Sequence, residues 1–313
     1  MLDAVLREIE RFDTIIIHRH TKPDGDAMGS QIGLKNILKE NYPAKQIFAV
    51  GDSSDYLSYL EDSRMDDIPD SAYSGALAVI LDCGAPALVS DTRYTLADAT
   101  VRIDHHLFGG KFADTEFVDS TFESCSGMIA YFAREKGLRL NTLAAKSLFV
   151  GLVSDSGRFR YDCTTSRTCE LASFLMQTPF DLNEIYINMY TDTFESKLLK
   201  AKYVLKIGFT QSKVAYIRTT KQELMDSGAD LFTISRGMVS TMADIEGVSI
   251  WANFTESDNG ILCELRSNRY NINPIAVKYG GGGHAKASGA TLPDWDTVDA
   301  VLGDLDKLTG EQI

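Results

Sequence analysis

The chain has 313 residues, with 31 Lys and Arg against 44 Asp and Glu, and a formal charge of −13. That balance excludes a protein that coats long nucleic acid through a basic face, since such binding rests on cations displacing counterions from phosphates; a small site can still take a phosphate. Hydrophobic residues make up 44% of the chain, enough for two cores at this length, so disorder is not expected.

The N-terminal segment is charged every few residues and lacks the apolar stretch of a signal peptide, and no later run reaches the roughly 18 apolar residues of a membrane span. The expectation is a soluble cytoplasmic protein with no membrane partner. Five cysteines without a C-x-x-C pair indicate neither a disulfide framework nor a zinc ribbon.

In chain order, an apolar run over 14–17 leads into His18. A helical pattern over 27–40 places Met28, Ile32, Ile37 and Leu38 near one face. Runs over 77–81 and 100–103 lead into Asp82 and Asp104. None of these runs alternates cleanly, which is how strands buried on both faces of a parallel sheet read. Helices are expected over 126–136, closed by Gly137, over 142–154 and over 165–177. The strand–helix alternation predicts an α/β domain over 1–188 with a mostly parallel sheet flanked by helices. Ligands of such sheets bind beyond the carboxyl ends of the strands.

Residues 189–206 read as a helical linker. Strand-like runs over 204–209, 214–218, 248–254 and 261–266 follow, with Asp258-Asn259-Gly260 as a hairpin turn. They predict a smaller α/β domain with a mixed sheet over 207–313.

Only five histidines occur, in three places: His18 and His20, the adjacent His105 and His106, and His284 behind four glycines. In His20-Thr21-Lys22-Pro23-Asp24-Gly25-Asp26, a strand-to-helix loop can aim an imidazole and two carboxylates at one point. Pro23 is expected to hold Lys22 extended. Such a donor set suits Mn²⁺ or Mg²⁺ better than a thiolate-seeking metal. The alternative is a polar turn in which Asp26 caps the next helix. Asp82, ending an apolar strand, reads as a metal ligand or a helix cap.

In Asp104-His105-His106 one imidazole can ligate while its neighbour meets substrate, with Asp104 orienting the ligand from behind. Asp155 stands near a helix C-terminus, where the dipole disfavours a carboxylate, so a cation should compensate: a metal, or Arg158 or Arg160. The run Gly280 to Gly283 before His284, together with Arg266, reads as a loop whose amides approach an anion, in preference to a hinge.

The ordered set His20, Asp24, Asp26, Asp82, Asp104-His105-His106, Asp155 and Gly280 to His284 resembles the DHH phosphoesterase superfamily. The glycine–histidine motif with Arg266-Ser267 resembles its DHH-associated C-terminal domain. The resemblance covers essentially the whole chain and is nearest to the oligoribonuclease/pAp phosphatases, or nanoRNases. It implies two Mn²⁺ per chain, with Mg²⁺ or Co²⁺ as substitutes. His20, Asp24 and Asp82 would hold one, and Asp26, Asp82, His105 and Asp155 the other, so that Asp82 bridges and is catalytic.

By the same resemblance His106 faces the substrate phosphate as a second catalytic residue. Arg266, Ser267, Gly281, Gly282, Gly283 and His284 would hold the nucleotide, with the active site in a cleft between a catalytic domain and a substrate-binding domain. Implied substrates are short oligoribonucleotides and 3′-phosphoadenosine 5′-phosphate (pAp), and a homodimer is suggested. His18 falls outside the ligand motif and reads as a strand-end residue. Competing readings are a cyclic di-AMP or pApA phosphodiesterase, a nucleotide-sensing module without catalysis, and an inorganic pyrophosphatase, against which the glycine loop counts.

Overall fold

The computed structural model describes residues 1–107 and 109–310, and the chain forms two compact units, Met1–Thr191 and Asp192–Ile313. In the first, helix α1 (Leu2–Arg11) precedes strand β1 (Thr14–His18), helix α2 (Gly25–Asn41), β2 (Gln46–Ala49), β3 (Ala76–Leu81), β4 (Ala99–Asp104) and β5 (Thr115–Val118). Helices α3 (Cys125–Lys136), α4 (Thr142–Asp155), α5 (Ser166–Leu175) and α6 (Leu182–Tyr190) complete it. The five strands form a parallel sheet in the order β2-β1-β3-β4-β5. Every residue of β3 is buried, and β1 is buried except at Thr14, as their unbroken apolar runs require.

Helix α2 is more deeply placed than an amphipathic pattern suggests, because all residues from Gly25 to Leu38 are buried. Most of its polar side-chain groups there find internal partners, Gln31 Oε1 excepted. Gln31 donates to the carbonyls of Ile17 and Val50, Lys35 pairs with Asp66, and Asn36 reaches the carbonyl of Ile32 and Asp62. Gly25, Gly29 and Gly33, four residues apart, form one stripe along α2 facing α4. A Cβ on Gly29 would stand 2.5 Å from the carbonyl oxygen of Ser147, and one on Gly33 would stand 2.4 Å from the side chain of Leu148. The missing side chains let the two backbones approach, which brings the start of α2 beside the end of α4.

The second unit contains α7 (Phe194–Val204), β6 (Gly208–Phe209), β7 (Ala215–Thr219), α8 (Lys221–Ser227), a π-turn over Thr233–Gly237, β8 (Ile250–Ser257), β9 (Gly260–Ser267), α9 (Asn273–Lys278), β10 (Gly282–Gly283), β11 (Ala287–Leu292) and α10 (Trp295–Gly310). Its mixed sheet runs β10-β11-β9-β8-β7-β6, with only β7 and β8 parallel. Val298, Val301, Leu302 and Leu305 of α10 join one core cluster of this unit, while Tyr203, Ile234, Met238 and Met242 join another.

The segment expected as a linker is divided between the units: α6 ends the first, and α7 packs Leu199 and Tyr203 into the second. Residues 204–209, read as a strand, instead finish α7 and turn, with Leu205 bonding back to Ala201 and only Gly208–Phe209 extended. A short apolar run does not distinguish a helix end from a strand. Among the described residues no helix is long and apolar enough to cross a membrane.

Candidate active site

The carboxyl ends of β1, β3 and β4 and the facing ends of α2 and α4 carry the predicted residues of the first unit. Asp24 caps α2: its Oδ1 accepts the amides of Asp26 and Ala27, both at 3.0 Å. The cap is therefore Asp24 and not Asp26, because Asp26 already lies inside the helix and points elsewhere. Its Oδ2 accepts the amide of Cys125 at 2.6 Å and its Oδ1 that of Ser126 at 2.8 Å. These are orphan N–H groups in the first turn of α3, so Asp26 fastens a helix a hundred residues away.

The loop before α2 is not extended at Lys22, whose φ is +51°. The restriction imposed by Pro23 is overridden by anchors on both sides. The Lys22 amide donates to Asp52 at 2.8 Å and the Thr21 amide to the carbonyl of Leu88 at 2.8 Å. Beneath the loop the buried guanidinium of Arg19 binds the carbonyl of His20 and the side chain of Asp52, each at 3.1 Å. Asp52 also accepts from the hydroxyl of Ser90.

His20 Nδ1 lies 2.7 Å from the carbonyl of Thr21, to which it donates, leaving Nε2 directed inward. That nitrogen stands 3.4 Å from Asp82 Oδ2 and 3.8 Å from Asp24 Oδ1. His105 Nε2 stands 3.3 Å from Asp82 Oδ1, 3.5 Å from Asp155 Oδ2 and 3.8 Å from Asp26 Oδ2. Asp82 thus faces one histidine with each oxygen, and it does so from a left-handed backbone, φ +53°. An aspartate held in that region at a strand end is a strained position of the kind retained at functional sites.

Two groups able to hold a cation follow directly: His20, Asp24 and Asp82, and Asp26, His105 and Asp155. A third is formed by Asp82, His105 and His106. The donor set fits hard divalent ions. Atoms each about 2.1 Å from one ion lie about 3 to 4 Å apart, the range of the separations above. Asp82 Oδ1 is buried without a hydrogen-bond partner, an acceptor awaiting a cation.

The electrostatics agree. Burial, then the neighbouring Asp26, Asp24 and Asp82, raises the Asp155 carboxyl well above its ordinary range. Burial and Asp82 push Asp26 up to about 7. Burial opposes a charged His20 or His105, yet the surrounding carboxylates outweigh it and raise them to about 11 and about 10. Carboxylates this crowded require positive charge among them. Arg158, one structural alternative for compensating Asp155, instead lies over the ring of Tyr190 at 4.6 Å.

His106 is held differently. Its Nδ1 donates to Asp104 Oδ1 at 2.7 Å, and the other oxygen of Asp104 accepts from the wholly buried Arg102. Asp104, expected to orient a metal-ligating histidine, instead bonds His106, the residue expected to meet substrate. Arg102 was hidden within an apparently apolar run; a lone arginine two residues before a strand-end aspartate, hence on its face, was the available signal. His18 lies apart: buried against Tyr73 and Tyr94, it has its pKa lowered to about 4 by burial and is neutral.

In the second unit, Arg266 Nη1 pairs with Glu264 at 3.1 Å. The hydroxyl of Ser267 donates to the carbonyl of Ser249 and accepts the amides of Arg269 and Tyr270, so it holds a turn together. The His284 amide closes the β10–β11 connection on Ala287 at 2.7 Å. Within the glycine loop, Gly280 and Gly283 have positive φ, and a Cβ on Gly281 would stand 2.0 Å from the carbonyl oxygen of Gly289. Gly282 alone has ordinary φ and nothing within 4 Å of a Cβ. Neither conformation nor packing explains its bareness.

Residues 14–152 match the model of the DHH family N-terminal domain, and residues 231–311 match the DHHA1 domain. The chain is 36% identical to the bifunctional oligoribonuclease and PAP phosphatase NrnA of Bacillus subtilis, covering 99% of both chains. It is also 36% identical to the probable protein of that name from Streptococcus mutans, over 92% of each. The crystal structure of an exopolyphosphatase-related protein from Bacteroides fragilis shares the fold, with a TM-score of 0.90 at 23% identity over 99% of this chain and 97% of that one.

Proposed function

The chain belongs to the DHH family and is a hydrolase of phosphodiester or phosphate bonds, and we propose that it is a cytoplasmic enzyme that hydrolyses short oligoribonucleotides and pAp with two Mn²⁺. The observation that carries this reading is Asp82, whose two oxygens face His20 and His105 and so belong to two ligand groups at once. His20, Asp24 and Asp82 would hold one ion, and Asp26, Asp82, His105 and Asp155 the other. A pair of such ions supplies an acidified water and neutralises charge developing on the scissile phosphate.

The remaining work falls to the protein. Asp104 fixes the His106 imidazole through Nδ1 and raises its pKa, so that Nε2 can donate to a phosphoryl oxygen or to the leaving group. Arg266, Gly281, Gly282, Gly283 and His284 bind the nucleotide, and Ser267 fixes the turn beside Arg266. The acidic net charge is compatible with this chemistry, since the excess carboxylates include the proposed metal ligands.

Turnover of pAp, pApA, cyclic di-AMP, a short RNA and pyrophosphate with Mn²⁺ tests the reading. Hydrolysis of pAp and short RNA is expected. Cleavage confined to cyclic di-AMP or pyrophosphate would overturn it.

A further inference from the structure

Outside the metal-ligand cluster, the second unit holds two guanidiniums on one carboxylate. Glu264 on β9 accepts from Arg236 Nε through Oε1 and from Arg266 Nη1 through Oε2, both at 3.1 Å. One carboxylate neutralises one arginine, so the trio keeps a net positive charge. Among the described residues, the other nitrogens of Arg236, and Nε and Nη2 of Arg266, bond no protein acceptor.

Arg236 is also preorganised. It lies in the π-turn Thr233–Gly237, whose carbonyls at Ile234 and Ser235 both accept from the buried amide of Asn253, at 2.6 and 2.7 Å. Asn253 is the register partner of Glu264, which pairs in turn with Gly289, itself opposite Gly282. One row across the sheet therefore anchors the turn bearing Arg236, carries the carboxylate that clamps both arginines, and continues into two glycines, one of them the unexplained Gly282. Rigid π-turns of this kind recur at functional sites, and paired guanidinium forks match a phosphate.

We propose that Arg236, together with Arg266, binds a terminal phosphate of the nucleotide substrate other than the phosphate that is cleaved, making Arg236 a determinant of specificity for phosphorylated ends. The proposal rests on the phosphoesterase reading above. It is tested by kcat/KM for pApA relative to ApA, which lacks the 5′-phosphate, in the full chain with Mn²⁺.

In Arg236→Gln that ratio should fall about tenfold or more, through KM. Arg236→Lys, which keeps the charge but not the fork, should recover it only in part. A ratio within about twofold of wild type in both variants, with unchanged thermal midpoints, would overturn the assignment. Failure of the wild-type chain to cleave either dinucleotide would instead overturn the reading on which it rests.

Discussion

The guanidinium of Arg102 lies fully buried against Asp104, donating Nη2 to Oδ2 at 2.5 Å. Burial disfavours the Asp104 carboxylate, but His106 and Arg102 together hold its pKa below the ordinary value. His106 is thereby presented in one tautomer and one orientation. If His106 acts as proposed, Arg102→Met should lower kcat on pAp about 10- to 100-fold, the scale of losses when outer partners of an active-site histidine are removed. It should also lower the thermal midpoint, because Asp104 Oδ2 is left buried without its guanidinium partner. A companion Arg102→Met/Asp104→Leu variant should recover stability but not kcat. Recovery of both would show that neither Arg102 nor Asp104 serves the reaction.

Asp82 belongs to two of the three groups able to hold a cation, one with His20 and Asp24 and one with His105 and His106. Asp82→Asn tolerates the left-handed backbone, since asparagine adopts it readily, and removes only the charge. Mn²⁺-dependent hydrolysis should drop about 100-fold or more, with the fold retained by circular dichroism. Turnover near wild type would contradict the shared-ligand assignment.

The clustering of the proposed ligands could be expected from the sequence because His20, Asp82 and His105 follow apolar runs at the sheet's carboxyl edge, while Asp24, Asp26 and Asp155 stand at the ends of α2 and α4. What holds those residues was not legible. The glycine stripe of α2 looks like ordinary helix punctuation until α4 lies against it, and Arg102 was concealed inside a strand it does not disrupt. The burial of Gln31, Lys35 and Asn36 has no signal in the helical pattern, because their partners, Ile17, Asp66 and Asp62, come from elsewhere in the chain. The strand expected over 204–209 failed for a different reason: six residues are too few for periodicity to separate a helix end from a strand.

Proton release should accompany metal binding. The carboxylates raise His20 to about 11 and His105 to about 10, and burial and Asp82 raise Asp26 to about 7, so the metal-free site holds protons at pH 7. Ligation requires these groups unprotonated. Mn²⁺ affinity should therefore increase with pH between about 6 and 8. Calorimetry in buffers of different ionisation enthalpy should show net proton release at pH 7; proton uptake or a pH-independent affinity would contradict the arrangement.

The glycine loop offers a separation of fold from binding. A Cβ at position 281 would stand 2.0 Å from the backbone oxygen of Gly289 and 2.7 Å from Ala290 Cα, and backbone cannot swing aside as a side chain does. Gly281→Ala should destabilise the second unit by about 1–3 kcal/mol or more. At Gly282 a methyl meets nothing within 4 Å, so Gly282→Ala should change stability by no more than about 0.5 kcal/mol. If the nucleotide approaches that backbone, the same methyl intrudes on the ligand and should raise KM for pAp about tenfold or more, the scale on which a methylene is discriminated in a close-fitting site. Thermal denaturation and steady-state kinetics on the two variants separate the effects. An unchanged KM in Gly282→Ala would mean that the ligand passes clear of the loop and that its bareness has another cause.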